Sequence, residues 1–224
     1  MTEAQVRALE KVLLDSTEAA GLELHGRVQA AVLVPVFVRH ATLHTVLTLR
    51  HDELRHHPGQ ISFPGGRRDP GDPDLIHTAL READEEIGLD PIGVELLGAL
   101  QPASTFVTDF AVYPFVGLIA PDQTFTAAPQ EVEAVLELPV AALAASQSRR
   151  TLERNGRSFR TDCYCLDGHL IWGATARILA DLLDRLARIP PAAVGLTPAP
   201  ADRRSTAPSA DSAPCSGARS GKTP

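Results

Sequence analysis

Residues 59–89, GQISFPGGRRDPGDPDLIHTALREADEEIGL, decide how the chain folds, because a glycine-rich loop leads directly into a sharply bounded helix. Asp72 is expected to cap the first turn, Pro73 suits the first helical position, and Asp74 complements the positive end of the helix. Gly88 predicts where the helix ends. The predicted buried face repeats with the 3.6-residue helical period. It consists of Ile76, Ala79, Leu80, Ala83 and Ile87.

Three glutamates lie on the opposite side of this helix. Glu82, Glu85 and Glu86 stand at positions i, i+3 and i+4, so their carboxylates are expected to converge. Like charges at this spacing cost roughly 0.2–0.5 kcal/mol per pair, whereas a bound divalent cation would neutralise them, and oxygen ligands favour Mg²⁺, Mn²⁺ or Ca²⁺. The alternative is an ordinary solvated acidic face. The glycine pair at 65–66, which permits close backbone approach, and Arg81, which can orient a carboxylate, favour the metal site.

The composition is that of a soluble globular protein. Apolar residues make up 44% and charged residues 22% of the chain, and no apolar run approaches the ~20 residues of a membrane span. The net charge of −7 repels a phosphate backbone, so we expect neither a nucleic-acid nor a membrane partner. Three cysteines are too few for a disulfide scaffold, and no signal-peptide pattern is present, which favours a cytoplasmic protein.

Composition divides the chain into three parts. Residues 1–28 are predicted to form a helical extension, with a helix over residues 3–18. Residues 29–190 alternate strand and helix patterns, which is typical of an α/β layered sandwich, and Pro35 predicts an edge or a bulge in the first strand. Residues 191–224 are rich in Pro, Ala and Ser and are predicted to be disordered. The remaining predicted elements are strands at 30–38, 43–49, 94–100, 112–120 and 133–138, and helices at 139–145 and 174–189.

The loop and the acidic helix together resemble the box of the Nudix hydrolases. The second half of that box is Arg-Glu-apolar-x-Glu-Glu-x-Gly-apolar, and residues 81–89 read READEEIGL, which matches except for the small Ala83. Counted from Gly66, the family's first glutamate falls on Asp72, and one extra residue precedes Arg81. The resemblance implies a Nudix-type α/β/α sandwich with a mixed sheet, and a hydrolase that uses Mg²⁺ or Mn²⁺.

The flanking segments are similar to those of Nudix coenzyme A pyrophosphatases. Residues 47–50 (LTLR) and 54–66 (LRHHPGQISFPGG) resemble the motif that precedes the box in that group. Residues 65–72 resemble its longer GGRxDxxD loop, and residues 171–175 (IWGAT) resemble a late segment. The resemblance covers about residues 29–188. It implies a small-molecule substrate, coenzyme A or a derivative, whose pyrophosphate is hydrolysed to 3′,5′-ADP and 4′-phosphopantetheine.

The same resemblance implies roles for individual residues. Glu82 and Glu86, together with Glu85, would hold the metal, and Arg81 would belong to the catalytic set. A carboxylate would activate water, with Glu82 one candidate; Glu131 is another, unless it is an ordinary surface residue. Arg50, Arg55, His56, His57 and Arg67 supply cations for phosphate oxygens. The predicted substrate-binding set is Arg50, His56, His57, Gln60, Gly65, Gly66 and Arg67.

Two other functions stay open at this point. The first is another Nudix specificity, for ADP-ribose, dinucleoside polyphosphates or an oxidised nucleotide; the segment at residues 47–66 favours coenzyme A instead. The second is a non-catalytic Nudix-like ligand sensor, against which the intact Arg81, Glu82, Glu85 and Glu86 argue. The sequence leaves open whether the protein is a monomer or a homodimer.

Overall fold

The computed structural model describes residues 1–22, 24, 28–52, 59–105, 109–154 and 157–190. The predicted substrate residues His56 and His57, with Arg55, lie outside the described residues. So does the segment 191–224, which was predicted to be disordered. Within the described ranges, no helix is long and apolar enough to span a lipid bilayer.

Eight strands form the central mixed sheet. They are β1 (Val28–Arg39), β2 (Thr42–Arg50), β3 (Ile61–Ser62), β4 (Gly65–Arg67), β5 (Glu95–Ala99), β6 (Ala103–Ser104), β7 (Phe110–Leu118) and β8 (Val132–Pro139). The main path runs β3–β2–β1–β7–β5, while β4 pairs with β1, β6 with β7, and β8 with β2. β1 and β7 run parallel, whereas β2 runs antiparallel to β1, β3 and β8.

Helices cover both faces of this sheet. They are α1 (Glu3–Glu10), α2 (Ser16–Ala20), α3 (Leu75–Ile87), α4 (Val140–Ala145) and α5 (Gly173–Leu186), with a short 3₁₀ helix at Pro91–Gly93. Side chains alternate along β1, so that Leu33 and Phe37 pack in the core under α3, whereas Val34 and Val36 pack in the core under α4 and α5. The predicted α/β/α sandwich is therefore confirmed.

A second, three-stranded antiparallel sheet follows α4, and no sequence pattern predicted it. It consists of β9 (Gln147–Arg154), β10 (Arg157–Leu166) and β11 (His169–Ile171), in the order β11–β10–β9. β9 and β10 carry many charged residues, which hides the alternation that normally marks a strand. β11 lies beside β3 of the central sheet, so this second sheet extends the fold on the β3 side.

The N-terminal prediction of one helix over residues 3–18 is wrong. α1 ends at Glu10, and Asp15 caps α2 by accepting two backbone N–H groups. Between the helices, the backbone of Leu14 exchanges two hydrogen bonds of 2.9 Å with Ala99 at the end of β5. Pairing with a sheet edge satisfies both backbone groups of Leu14, which explains why the helix breaks there.

The prediction that Pro35 marks an edge strand or a bulge is also wrong, because β1 is internal and its register with β7 is unbroken. On its other side, β1 pairs with β4 up to Val32 and with β2 from Val36 onward. Pro35 lies where the partner changes, so its missing N–H group costs no ladder bond. Its carbonyl accepts the Thr45 hydroxyl at 2.8 Å. The other predicted elements are confirmed with small shifts in their bounds.

Candidate active site

The loop that leads into α3 is held by a buried carboxylate. Asp74, and not Asp72, caps the helix by accepting a backbone N–H of the first turn at 2.9 Å, so the predicted cap was wrong. Asp72 instead accepts the backbone N–H of Asp69 and the Thr78 hydroxyl, both at 2.9 Å, as well as the Arg81 guanidinium. The Asp72 carboxylate is therefore occupied by the loop and by side chains of α3, and the charge-assisted bond to Arg81 outweighs a cap bond. The predicted helix end is confirmed by the left-handed cap at residue 88.

Arg81 ties this loop to α3. Its Nε and Nη2 atoms donate to the two carboxylate oxygens of Asp72, each at 3.0 Å, and Nη2 also donates to the Arg67 carbonyl at 3.2 Å. The same guanidinium pairs with Glu82 at 3.1 Å and with Glu85 at 2.9 Å. The Arg81 hydrogen bonds hold the pKa of Asp72 well below its usual range, against the opposing effect of burial. Asp72 is thus fully engaged in fixing the loop.

The three glutamates of α3 do not converge on one point. Glu85 pairs with Arg81 and its side chain is 59% exposed, so it points along the outer surface of the helix. The side chains of Glu82 and Glu86 are only 18% and 4% exposed. The structure therefore brings two of the three predicted ligands, Glu82 and Glu86, to the buried side of the site and leaves Glu85 at its rim.

Gly65 and Gly66 form the wall that these two carboxylates face. The Gly65 N–H donates to Glu86 Oε2 at 3.2 Å. Gly65 has a φ of 153°, and a Cβ there would overlap the Ala31 carbonyl. A Cβ on Gly66 would overlap the carboxylate of Glu82. Only glycine allows the backbone to approach the carboxylates this closely, as the sequence predicted.

Arg50, at the end of β2, joins α3 to a second loop. Its Nη1 donates to Glu86 Oε1 at 3.2 Å, and its Nη2 lies 3.5 Å from a carboxylate oxygen of Glu131. The Glu131 carbonyl accepts the His51 N–H at 3.1 Å, and Ala128 donates its N–H to the Glu86 carbonyl at 2.9 Å. Two backbone contacts therefore fix the loop that carries Glu131, and the predicted candidate base lies beside the predicted metal ligand Glu86.

Burial and neighbouring charges perturb both inner carboxylates. Burial raises the pKa of Glu86 to about 7; Arg50 opposes this shift, while the charges of Glu82 and Glu131 add to it. Burial also raises the pKa of Glu82, although the neighbouring Arg81 acts in the opposite direction. Carboxylates held close together in a desolvated site are disfavoured as free anions, and a cation would stabilise them.

The donor set suits a hard divalent cation, since Glu82 and Glu86 offer carboxylate oxygens beside a wall that only glycine can form. Among the residues that the structure describes, no three Asp, Glu, His or Cys side chains are already gathered around a single point. The inner carboxylates are neutralised by Arg50 and Arg81 instead. Glu82 and Glu86 are the residues that could hold Mg²⁺ or Mn²⁺, with Glu131 on the far side of Arg50.

Two other predicted substrate residues lie at different distances from this cluster. The Gln60 carbonyl accepts the Arg50 N–H at 3.0 Å, so Gln60 adjoins the cluster directly. Arg67 is exposed and lines a shallow hollow of about 380 Å³ with Val28, Gln29 and Arg68, among others. Neither Glu82 nor Glu86 lines this hollow, so the side chain of Arg67 points away from the buried carboxylates.

Sequence patterns missed two structural contributors to the site. Thr78 is fully buried and donates its hydroxyl to Asp72. Its position, three residues before Arg81 on the same helix, was the available signal. The backbone contact between Ala128 and Glu86 had no signal, because a backbone N–H is present at nearly every position and its partner depends on the tertiary fold.

The sheet, the glycine loop and the carboxylate helix define the class of protein. The protein-family model described as the NUDIX domain matches residues 27–159, more than half of the chain. The chain therefore belongs to the Nudix hydrolase family. It is an enzyme of a family that generally uses divalent ions such as Mg²⁺ or Mn²⁺ and acts on small molecules.

Individual relatives agree with this assignment. The chain is 42% identical over 158 residues to the uncharacterized Nudix hydrolase NudL of Enterobacter sp. (strain 638), covering 70% of this chain and 81% of that protein. It is 43% identical over 156 residues to the NudL of Salmonella newport (strain SL254), covering 69% and 80%. A crystal structure of a MutT/nudix family protein from Enterococcus faecalis aligns with a TM-score of 0.50 and 14% identity. That alignment covers 75% of this chain and 64% of the other, less than two thirds, and it shows the fold alone.

Proposed function

We propose that this Nudix hydrolase cleaves the pyrophosphate bond of coenzyme A, or of a coenzyme A derivative, to give 3′,5′-ADP and 4′-phosphopantetheine. One observation carries the proposal: Arg50, the last residue of the LTLR segment, contacts the buried Glu86 of the acidic helix at 3.2 Å. The LTLR segment resembles the motif that precedes the box in coenzyme A pyrophosphatases, and the acidic helix is the Nudix box itself. Their meeting beside the Gly65 N–H supports a single site in which both take part.

The metal belongs to this proposal. Glu82 and Glu86 would hold Mg²⁺ or Mn²⁺, and Glu85 would take part from the rim of the site. The bound ion would neutralise phosphate charge and lower the pKa of a water molecule. Arg81 would act as a positioning residue, since it fixes both the loop and the direction of Glu82.

The reaction consumes one water molecule. Its oxygen bonds to one phosphorus atom, the bridging P–O bond breaks, and the bridging oxygen leaves with the other phosphoryl group. A carboxylate must accept the water proton. Glu82 and Glu131 are the candidates, because Glu82 faces the glycine wall and Glu131 lies on the opposite side of Arg50.

The cations of the site would bind the substrate phosphates. The Arg50 guanidinium already donates to carboxylate oxygens, and phosphate oxygens offer the same geometry and charge. Its contact with Glu86 supports a role for Arg50 at the pyrophosphate of the substrate. The remaining proposed substrate contacts are His56, His57, Gln60, Gly65 and Gly66. Arg67, whose side chain points away from the buried carboxylates, would contact only a part of the substrate that extends beyond them.

A substrate panel tests the proposal. The full chain is incubated with coenzyme A, ADP-ribose and diadenosine tetraphosphate, each with and without Mg²⁺, and the products are identified by mass spectrometry. We expect coenzyme A to give 3′,5′-ADP and 4′-phosphopantetheine at the highest kcat/KM, and only with the metal. A higher kcat/KM for ADP-ribose would replace the substrate assignment, and absence of turnover on all three would indicate a ligand sensor.

A further inference from the structure

The hairpin of β9 and β10 presents two different faces. Its register places Leu152 opposite Phe159 and Arg149 opposite Asp162. Because side chains alternate along a strand, these two pairs lie on opposite faces of the hairpin. Arg149 and Asp162 form an exposed ion pair of 3.6 Å on one face. The other face of the hairpin carries Leu152 and Phe159, together with Arg150 and Thr161.

An aromatic pair includes Phe159 of this face. Phe159 is 37% exposed, although the chain is only 4% aromatic and buries most of its large apolar side chains. Its ring centroid lies 5.9 Å from that of Trp172, with the ring planes tilted by 41°. Trp172 is the single tryptophan of the chain and stands just before α5. The two rings contact each other, and Phe159 keeps part of its aromatic surface exposed.

The aromatic pair is linked to the active-site strands through β11. Trp172 directly follows β11, which lies beside β3, and β3 pairs with β2 through Ser62 and Thr48. Arg50 ends β2. A nucleotide whose phosphates contact Arg50 could place its base on these rings.

We propose that Phe159 and Trp172 form a stacking subsite for the purine base of the substrate. A purine offers a flat π surface that stacks on aromatic rings, whereas the flexible pantetheine arm has none. Arg150 shares the face of Leu152 two residues away and supplies a cation for a phosphate on the same nucleoside. The subsite rests on the proposed function only in requiring an adenine-containing substrate.

Trp172 reports on the subsite directly, because it is the only source of tryptophan fluorescence. The full chain is titrated with adenosine 3′,5′-bisphosphate and, separately, with 4′-phosphopantetheine. We expect a saturable fluorescence change with the first ligand only. A change with 4′-phosphopantetheine alone, or with neither ligand, would overturn the purine assignment. This titration needs no turnover, so it can succeed or fail independently of coenzyme A hydrolysis.

Variants of Phe159 test the second ring. Phe159→Leu keeps an apolar side chain but loses the aromatic face, and should raise the Kd of adenosine 3′,5′-bisphosphate about tenfold, whereas Phe159→Tyr should retain binding. In turnover, Phe159→Leu should raise KM more than it lowers kcat. Ile92→Ala, at a position 93% exposed, controls for loss of a surface apolar group. An unchanged Kd in folded Phe159→Leu would refute the subsite.

The arginine pair offers a second matched comparison. Arg150→Gln should weaken adenosine 3′,5′-bisphosphate more than AMP, whereas Arg149→Gln, on the opposite face, should affect neither. Equal effects of the two substitutions would contradict the assignment of Arg150. Sedimentation velocity of the wild type and of Phe159→Leu tests whether Phe159 instead contacts a second copy of the chain. If the substitution dissociates an oligomer and leaves ligand binding intact, the proposal is overturned.

Discussion

Helix α3 carries two arginine–carboxylate clusters of opposite character. Around Asp72, two guanidinium nitrogens, a hydroxyl and a backbone N–H all donate to one carboxylate, and its pKa falls well below the usual range. Around Glu86, burial prevails over Arg50 and one backbone N–H, and the pKa rises to about 7. In the first cluster, the hydrogen bonds to Asp72 stabilise its charged form and hold the loop. In the second cluster, burial disfavours the charged form of Glu86, and a bound cation would stabilise it.

The largest expected effect is on the second cluster. Glu86→Gln should lower kcat by about 10²–10⁴-fold, because an amide neither carries the charge that holds a divalent cation nor accepts a proton. Asp84→Asn, an exposed change on the same helix, is the matched control and should retain turnover. Steady-state kinetics with Mg²⁺, alongside circular dichroism, separates activity from folding. Wild-type turnover in Glu86→Gln would remove Glu86 from the metal site.

Asp72→Asn should show the opposite character, with a large loss of stability. Removing the charge weakens every hydrogen bond that the buried Asp72 side chain accepts, and should lower the free energy of unfolding by about 3 kcal/mol. Urea denaturation monitored by fluorescence measures it, with Asp69→Asn, an exposed loop residue, as control. A stable Asp72→Asn that loses only activity would mean that Asp72 acts in chemistry and not in fixing the loop.

The two clusters should also respond oppositely to pH. Since the pKa of Glu86 is raised in the fold, its contribution to stability is complete below about pH 4.5 and is lost as the pH rises through 7. The pKa of Asp72 is lowered, so its contribution is present above about pH 4 and is lost on acidification.

Without metal, the wild type should therefore lose stability relative to Glu86→Gln as the pH rises. The difference in the free energy of unfolding should change by about 2–3 kcal/mol from pH 5 to pH 8. Thermal melts in EDTA at both pH values measure this difference. Excess Mg²⁺ should raise the Tm of the wild type at pH 8 and leave Glu86→Gln unchanged. If the Tm of the two proteins changes with pH in the same way, the ionisation of Glu86 does not destabilise the fold.

The smallest expected effect comes from removing the Arg50 guanidinium, which contacts Glu86 and is proposed to bind the substrate pyrophosphate. Arg50→Ala should lower kcat/KM for coenzyme A and for dephospho-coenzyme A equally, by about tenfold, because a charged hydrogen bond to the pyrophosphate is lost from both. Arg149→Ala, remote from α3, is the control. A loss confined to coenzyme A would place Arg50 at the 3′-phosphate instead of the pyrophosphate.

The same contrast explains what could be read from the sequence. Glu82, Glu86 and the glycine pair at 65–66 were predictable because they lie within one continuous stretch with local periodicity. Asp72 and Asp74 are both good capping residues, and only the tertiary contact with Arg81 decides between them. The cluster of Arg50 and Glu86 draws on separate segments of the chain, so its geometry could not be obtained from local patterns.

The secondary structure follows the same division. Gly88 and the bounds of α5 were close to prediction, because helix ends and apolar periodicity are local signals. β9 and β10 were missed because their stability comes from pairing with each other and from packing of the hairpin base. The prediction of an edge or a bulge at Pro35 was wrong because a proline is tolerated in an internal strand where that strand changes its pairing partner, as β1 does here.

The short bridge between Leu14 and Ala99 has a consequence for how the protein behaves in solution. β5 is the last strand on one side of the main path, and an unpaired strand edge is a template on which other chains can assemble. Leu14 blocks part of that template, and Arg185 helps to hold the blocking segment by donating to the Val12 carbonyl at 2.7 Å. The segment around Leu14 thus covers part of the β5 edge and opposes aggregation through it. Deleting this segment for crystallisation would expose that edge.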